Sequence, residues 1–195
     1  MLKLTVAPTE EPVTLTEAKA HLRVDAADDD TLIGSLIEAA REHVEGVTGR
    51  AIMPQTWEYY LDAFPTDGSE IEIPIAPLTG VTEVSYLDPN TGAFVDATLS
   101  DYQVDMPTGD RAARGKIVPK ADKTWPTNAS TQPRSARLTF TAGYADAASV
   151  PSSLKSAILL VLGDLYANRE ARLQGQIGDN PTVDRLLFPF RLQVF

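Results

Sequence analysis

The chain has 195 residues, of which 43% are apolar, and a formal net charge of −10 at pH 7. This apolar fraction excludes a disordered chain, and the length suits one domain or one domain with a sizeable insertion. The sequence contains no cysteine, which excludes disulfides, thiol catalysis and cysteine-bound metals.

A short helix is predicted near the N terminus by Thr14 and Glu17, which have the spacing of a capping box. We expect this helix to end near Val24. Acidic residues cluster at positions 25–30 but lack the alternating acids, central glycine and closing glutamate of a calcium loop. We therefore interpret them as an N-cap for the next helix, and we expect no metal site.

A long amphipathic helix is predicted over residues 28–50, because apolar residues recur there at helical spacing and Gly49 is well placed to end it. His43 lies at the edge of the apolar stripe, where we expect a packed or hydrogen-bonded side chain. The charged face opposite the stripe is a candidate for contact with a neighbouring subunit. It consists of Glu38, Arg41, Glu42 and Glu45.

From residue 56 the apolar pattern changes to a period of two, which is typical of half-buried strands. Turn residues separate successive strands, and residues 56–142 are therefore predicted to form an inserted antiparallel β domain. We expect the loop over residues 124–133, which contains Trp125, to be irregular and partly exposed. Strands are predicted at residues 56–62, 71–75, 81–87, 94–95, 102–106, 116–118 and 137–141.

Charge is distributed unevenly across this region. Residues 51–110 contain eleven acidic side chains and no basic one, whereas residues 111–137 contain seven basic side chains and one acidic. The basic block either contacts nucleic acid or pairs with the acidic segment, in the same chain or the next. It lacks the interleaved aromatic side chains of a stacking platform, which favours pairing. Within it, Arg111, Arg114 and Arg137 are candidates for subunit contacts.

Helical spacing returns after Pro151 and predicts a second long helix over residues 151–168. Because this helix is apolar nearly all round, we expect it to pack on the stripe of residues 33–47 and on another surface, such as a neighbouring subunit. Asn180 and Pro181 predict the start of a last short helix. The longest apolar run, residues 157–162, is too short to cross a bilayer, and we expect a soluble, intracellular protein without a membrane partner.

The last ten residues, 186–195, are unusually apolar for a chain end. They are either packed into the core of the chain itself or form a docking segment for another protein. The predicted fold class is α+β, a small bundle of two long and two short helices with an inserted antiparallel sheet. The bundle comprises residues 1–55 and 143–185, the β domain residues 56–142, and the docking segment residues 186–195.

No motif for catalysis or cofactor binding is present. The sequence lacks a nucleophile elbow, a glycine-rich phosphate loop and a zinc-binding H-E-x-x-H. We therefore expect no catalytic residue and no cofactor, and we do not expect an enzyme. Acidic pairs are numerous, so a small hydrolase with two catalytic carboxylates is kept as an alternative.

Several segments together carry a family resemblance. They are P-V-T-L-T-E-A-K-A-H-L-R-V-D at 12–25, D-D-D-T-L-I-x-x-L-I-x-A-A-R at 28–41 and E-G-V-T-G-R-A-I-M-P-Q-T-W at 45–57. Further segments are I-E-I-P-I-A-P-L-T-G-V-T-E-V-S-Y at 71–86, Y-Q-V-D at 102–105, F-T-A-G-Y at 140–144 and V-P-S-S-L-K-S-A-I-L-L-V-L-G-D-L-Y-A-N-R-E at 150–170. In this order and spacing they resemble the tailed-phage head–tail connector family, in particular its gp6-like adaptor branch with a β-rich insertion.

This resemblance implies a structural adaptor protein that forms a dodecameric ring in the neck of a phage, a prophage-encoded particle or a gene transfer agent. The implied partners are the portal protein, a stopper or tail-completion protein, and DNA that passes through the ring without specific contacts. The implied site of synthesis is the bacterial cytoplasm. A stopper or tail-completion protein is the alternative within the neck. The resemblance also implies that the C-terminal segment engages the portal, through the candidates Leu187, Phe188, Phe190, Arg191, Val194 and Phe195.

Overall fold

The structure is a computed structural model that describes residues 1–127, 132–168 and 181–192. It divides into two compact units. The sheet unit comprises Met1–Pro8 and Pro54–Gly143, and the helical unit comprises Thr9–Met53 and Tyr144–Phe195. The prediction assigned all residues before 56 to the helical part, whereas the structure places the first eight in the sheet unit.

Among the described residues, the helical unit has two long and two short helices, as predicted. Thr14 caps α1 through the predicted capping box, in which its side chain accepts from the Glu17 amide while the Glu17 carboxylate accepts from the Thr14 amide. Gly49 ends α2 with a φ of 72°, in the left-handed region that favours glycine. The helices are α1 (Leu15–Leu22), α2 (Asp30–Thr48), α3 (Ser152–Ala167) and α4 (Pro181–Leu187).

The core of the helical unit lies between α2 and α3. Ile33, Ile37 and Val44 from α2 and Leu154 and Ile158 from α3 are at most 3% exposed. The stripe predicted from spacing therefore packs on the later helix, and α1 and α4 cover further parts of the same core. Burial of large aliphatic side chains contributes about 2 kcal/mol each to folding, so this seam is the main source of stability in the unit.

In its described residues, the sheet unit contains two antiparallel sheets instead of the single one predicted. The larger sheet has the strand order β1-β2-β8-β4-β5, and the smaller has the order β3-β7-β6. The strands are β1 (Leu2–Val6), β2 (Gln55–Leu61), β3 (Ile71–Glu72), β4 (Leu78–Leu87), β5 (Phe94–Asp96), β6 (Tyr102–Asp105), β7 (Lys116–Pro119) and β8 (Ala136–Ala142).

The predicted α+β class, with helices and antiparallel sheet, is confirmed. The sequence predicted the seven strands β2 to β8, whereas β1 was not predicted. It pairs with β2, Leu2 lying opposite Tyr59 and Leu4 opposite Trp57. The short segment of alternating leucines was missed because five residues carry a weak periodic signal, and pairing with a strand more than fifty residues later is not visible in local pattern.

Three local predictions have different outcomes. In its described part, the loop over residues 124–133 is irregular and partly exposed, as expected, although Trp125 within it is covered. Trp125 is only 3% exposed, because its ring stacks on Phe64 and Tyr102 at centroid distances of 5.1 and 4.9 Å, and its indole donates to the Ser69 carbonyl. His43 is exposed and not packed. Asp29 occupies the N-cap of α2 without a side-chain cap hydrogen bond.

In the described part of the chain, every helix is too short or too polar to span a lipid bilayer.

Candidate functional site

A ladder of alternating charges crosses four strands on one face of the larger sheet. It runs from Lys3 on β1 to Glu58 on β2, Arg137 on β8 and Glu83 on β4. The strand register places these residues on one face, because Lys3 lies opposite Glu58 and both Glu58 and Glu83 lie opposite Thr139. The other face carries buried apolar residues, so the ladder is the solvent side of the sheet.

Arg137 is the centre of this ladder. It pairs with Glu83, donates from Nε to the Ser85 hydroxyl over 3.0 Å, and lies 4.5 Å from the centroid of the Phe94 ring. Its Nη1 is 3.7 Å from the Glu58 carboxylate. Burial lowers the pKa of Arg137, but the bonds to Glu83 outweigh this and raise the pKa above its ordinary value. The guanidinium thus holds strands together within the chain.

The basic block pairs with the acidic segment inside the same chain. Arg114 contacts Glu72 over 3.2 Å and Lys123 contacts Asp101 over 2.9 Å. Lys116 forms a further pair, with Glu70. Of the interpretations made from sequence, these pairs agree with pairing to the acidic segment of the same chain, and Arg114 and Arg137 both take part in it.

Arg41 was a candidate for subunit contact but is buried in the helical unit, with its side chain 5% exposed. Its Nε donates to Glu11 over 2.9 Å and its Nη1 donates to Glu45 over 2.8 Å. Burial lowers its pKa, and the bonds to both carboxylates raise it above the ordinary value. Glu45 also accepts from the Ile52 amide over 2.7 Å. Arg41 and Glu45 thus hold the helical unit together.

The remaining candidates on α2 are at the surface. Glu38 reaches Arg41 only at 4.0 Å and its side chain is 62% exposed. Glu42 is exposed as well. Of the four predicted contact residues on this helix, these two are available to another molecule.

The C-terminal segment is packed on the helical unit as far as Leu192. Leu187 is fully buried and Phe190 is 3% exposed, both within the helical core. The Leu192 amide donates to the Thr48 carbonyl over 2.9 Å. Leu187 and Phe190 are therefore not accessible to a portal in this conformation, because their apolar surface is already covered by the chain's own helices.

Two of the predicted portal contacts are accessible. Phe188, in the short helical turn Phe188–Phe190, is 72% exposed, the highest value among the large apolar side chains that the structure describes. Arg191 pairs with Asp184 over 2.8 Å, and its side chain is 44% exposed. The predicted contacts Val194 and Phe195, and the Asn180 cap, lie outside the described residues.

Two aspartates of the acidic cluster at the start of α2 form side-chain contacts with other helices. The Tyr166 hydroxyl donates to Asp29 over 2.5 Å, and Lys19 pairs with Asp30 over 2.5 Å. In the part of the chain that the structure describes, no group of three or more histidine, aspartate or glutamate side chains is arranged to hold a metal ion. The cluster thus connects α1, α2 and α3.

Residues 12–84 match the family model for the phage gp6-like head-tail connector protein. The resemblance to that family, inferred from the motifs, is confirmed over this segment. No curated protein matches the chain.

The fold is shared with solved structures over the whole chain. A chain in the neck of an empty gene transfer agent particle, computed with C6 symmetry, superposes with a TM-score of 0.81 at 22% identity, covering 100% of this chain and 97% of the other. A chain in the virion of a native gene transfer agent particle gives 0.78 at 24% identity with the same coverage. A chain in the neck of a native particle, computed with C12 symmetry, gives 0.76 at 23%, again with the same coverage. All three solved structures are of gene transfer agent particles, and two of them are of the neck.

Proposed function

We propose that this protein is a structural head–tail connector of the adaptor type, which forms a ring in the neck of a tailed phage or phage-like particle. The observation that carries the proposal is the match of its complete two-unit fold to neck chains, covering 100% of this chain and 97% of the first such chain. The agreement of residues 12–84 with the connector family model supports the same function.

The proposed partners are further copies of this chain, the portal on one side and a stopper or tail-completion protein on the other. The C6 and C12 symmetries of the related necks favour a ring of twelve, which is compatible with both. Synthesis in the bacterial cytoplasm and final location in the particle neck follow from this function.

For the portal contact, we propose the accessible part of the C-terminal segment. Phe188 presents an aromatic side chain to solvent beside the charged pair of Arg191 and Asp184. Exposed aromatic and arginine side chains are the residue types most often found at the centre of protein interfaces. Their backbone is fixed by the burial of Phe190 on one side, which reduces the ordering cost of binding.

DNA would pass through the ring without specific contacts. The charge of −10 is consistent with this, because an acidic channel wall repels phosphates and does not retain DNA. A map of the ring lumen tests the idea, and a lumen lined by Arg111, Arg114 and Lys116 would contradict it.

The test of the function is assembly with purified portal. An adaptor co-sediments with the portal, and negative-stain images show a ring added to it. A stopper or tail-completion protein, the alternative within the neck, would bind only when another neck component is already in place. No observation favours the hydrolase alternative, since Glu58, Glu72 and Glu83 on the sheet lie in ion pairs with basic residues and not opposite one another.

A further inference from the structure

The larger sheet has two open edges in the described part of the chain, formed by β1 and β5. All five residues of β1 are exposed, and Leu2, Leu4 and Val6 are 38%, 41% and 54% exposed. At the other edge Val95 of β5 is 37% exposed. Proteins usually protect sheet edges, because unpaired main-chain groups there bind other strands. The apolar β1 carries only Lys3 as a protecting charge.

The main-chain groups at Leu2 and Leu4 point outward. Met1 exchanges both of its main-chain hydrogen bonds with Tyr60. Because the bonding direction alternates along an antiparallel strand, Lys3 is directed toward β2, and Leu2 and Leu4 are directed away from the sheet. This edge offers the donors and acceptors that another strand needs.

At the β5 edge, the Asp88 amide donates to the Ala93 carbonyl and the Ala97 amide donates to the Val84 carbonyl, so Val95 is directed toward β4 and Phe94 and Asp96 are directed outward. Val95 lies opposite Tyr86 and Tyr86 lies opposite Ala136, on the apolar face that also carries Leu2 and Leu4. Asp96 lies opposite Ser85, on the face of the charge ladder. If β1 of one copy lay parallel to β5 of another, its outward-directed groups would bond to those of Phe94 and Asp96. Leu2 would then meet Val95 on one face, and Lys3 would meet Asp96 on the other.

We infer that β1 of one subunit adds to β5 of the next, so that the larger sheet continues from subunit to subunit around the ring. This inference rests on the proposed ring-forming function. The occupant is a second copy of the chain, chosen because both the apolar pattern and the charge of the two edges match. A contact between two different edges is heterologous, which is the kind that generates closed rings.

Cysteine cross-linking tests the contact, and the chain's lack of cysteine makes it selective. The double variant Leu2→Cys/Val95→Cys places one thiol at each edge on the same face, at positions that lie opposite each other in this register. Within one chain three strands separate the two positions, roughly 19 Å at about 4.8 Å per strand, far beyond disulfide reach. Oxidation of assembled rings is therefore expected to give a ladder of multimers on a non-reducing gel. The control Lys3→Cys/Val95→Cys, with thiols on opposite faces, is expected to remain monomeric.

Other outcomes contradict the inference. Rings that are visible by negative stain but give no ladder would overturn the edge contact and leave the connector function standing. Dimers from Leu2→Cys alone would show pairing of two β1 strands, which also overturns it. Failure of the wild-type chain to form rings, alone or on the portal, would overturn the connector function and the edge contact together.

A charge variant provides a second measurement. Asp96→Lys in the cross-linking background is expected to cause loss of the ladder at low salt, because it places two cations together at the edge. Glu10→Lys, the same change of charge at another exposed position, is expected to leave the ladder as it was. A ladder unaffected by Asp96→Lys would contradict the predicted pairing of Lys3 with Asp96.

Discussion

Arg50 donates a hydrogen bond from Nε to the main-chain carbonyl of Phe190 over 2.6 Å, joining two residues that are 140 positions apart. Arg50 is 4% exposed, and burial lowers its pKa, opposed by a hydrogen bond with Tyr144. Charged side chains are rarely buried so deeply unless they are hydrogen-bonded. The bond from Arg50 to Phe190 therefore fixes the C-terminal segment to the chain just after α2.

Replacing Arg50 by alanine should lower the free energy of unfolding by about 2–3 kcal/mol, through loss of a charged hydrogen bond and of the buried stem. Urea denaturation measures the loss. The matched control is Arg191→Ala, which removes an exposed ion pair with Asp184 and should cost at most about 1 kcal/mol. Equal effects of the two variants would mean that Arg50 does not anchor the segment.

Phe188 and Phe190 lie two positions apart but should respond differently to substitution. Phe188→Ser changes a side chain that is 72% exposed, so stability should be retained and co-sedimentation with the portal reduced. Phe190→Ser opens the core and should destabilise the chain by about 3–5 kcal/mol. Thermal melts distinguish the two. Undiminished portal binding by Phe188→Ser would exclude this residue from the contact.

Arg41→Leu should lower the free energy of unfolding by about 3 kcal/mol, because it leaves the carboxylates of Glu11 and Glu45 without their cation. Glu38→Gln on the same helix should change stability by less than about 0.5 kcal/mol, since its side chain is 62% exposed. Chemical denaturation of both variants checks the contrast. If Arg41→Leu folded with wild-type stability but failed to form rings, Arg41 would be a subunit contact after all.

Stability should fall on acidification through carboxylates whose pKa is lowered by folding. Burial raises the pKa of Glu58, but hydrogen bonds from Tyr60 and Lys3 and the charge of Arg137 lower it overall. The stabilisation is therefore complete above the unfolded value of about 4.3 and is lost as pH falls through the lower folded value. Glu58→Gln should flatten this acid limb when urea midpoints are compared between pH 7 and pH 3. An unchanged slope would show that Glu58 titrates normally.

Among the basic candidates, Arg137 should affect folding and Arg114 should affect it less. Arg137→Ala removes the centre of the charge ladder and its contact with Phe94, so a loss of about 2 kcal/mol is expected. Arg114→Ala removes one pair with the half-exposed Glu72, for which about 1 kcal/mol is expected. Chemical denaturation of the two variants, with and without 1 M salt, measures both losses of stability and how far salt screens each ion pair. A larger loss of stability for Arg114→Ala than for Arg137→Ala would contradict this prediction.

The helices and most strands follow from the sequence, because their signals are local. Thr14 and Glu17 form a cap within one turn, and the spacing of Ile33 to Val44 alone determines which face of α2 is apolar. The class of fold and the resemblance to connector proteins could therefore be recognised before any coordinates were considered.

Only the tertiary structure decided which side chains contact one another. Arg41 and Glu38 are both charged residues on the predicted polar face of α2, about one helical turn apart. In the structure Arg41 is buried in an ion-pair cluster, whereas Glu38 is exposed. Phe188 and Phe190 differ in the same way. The sequence by itself determined local conformation, charge and the apolar stripes, because these depend on residues a few positions apart. Which charges pair, which phenylalanine is covered and which strands lie at the sheet edges depend on contacts between distant segments, and those arise only when the chain folds.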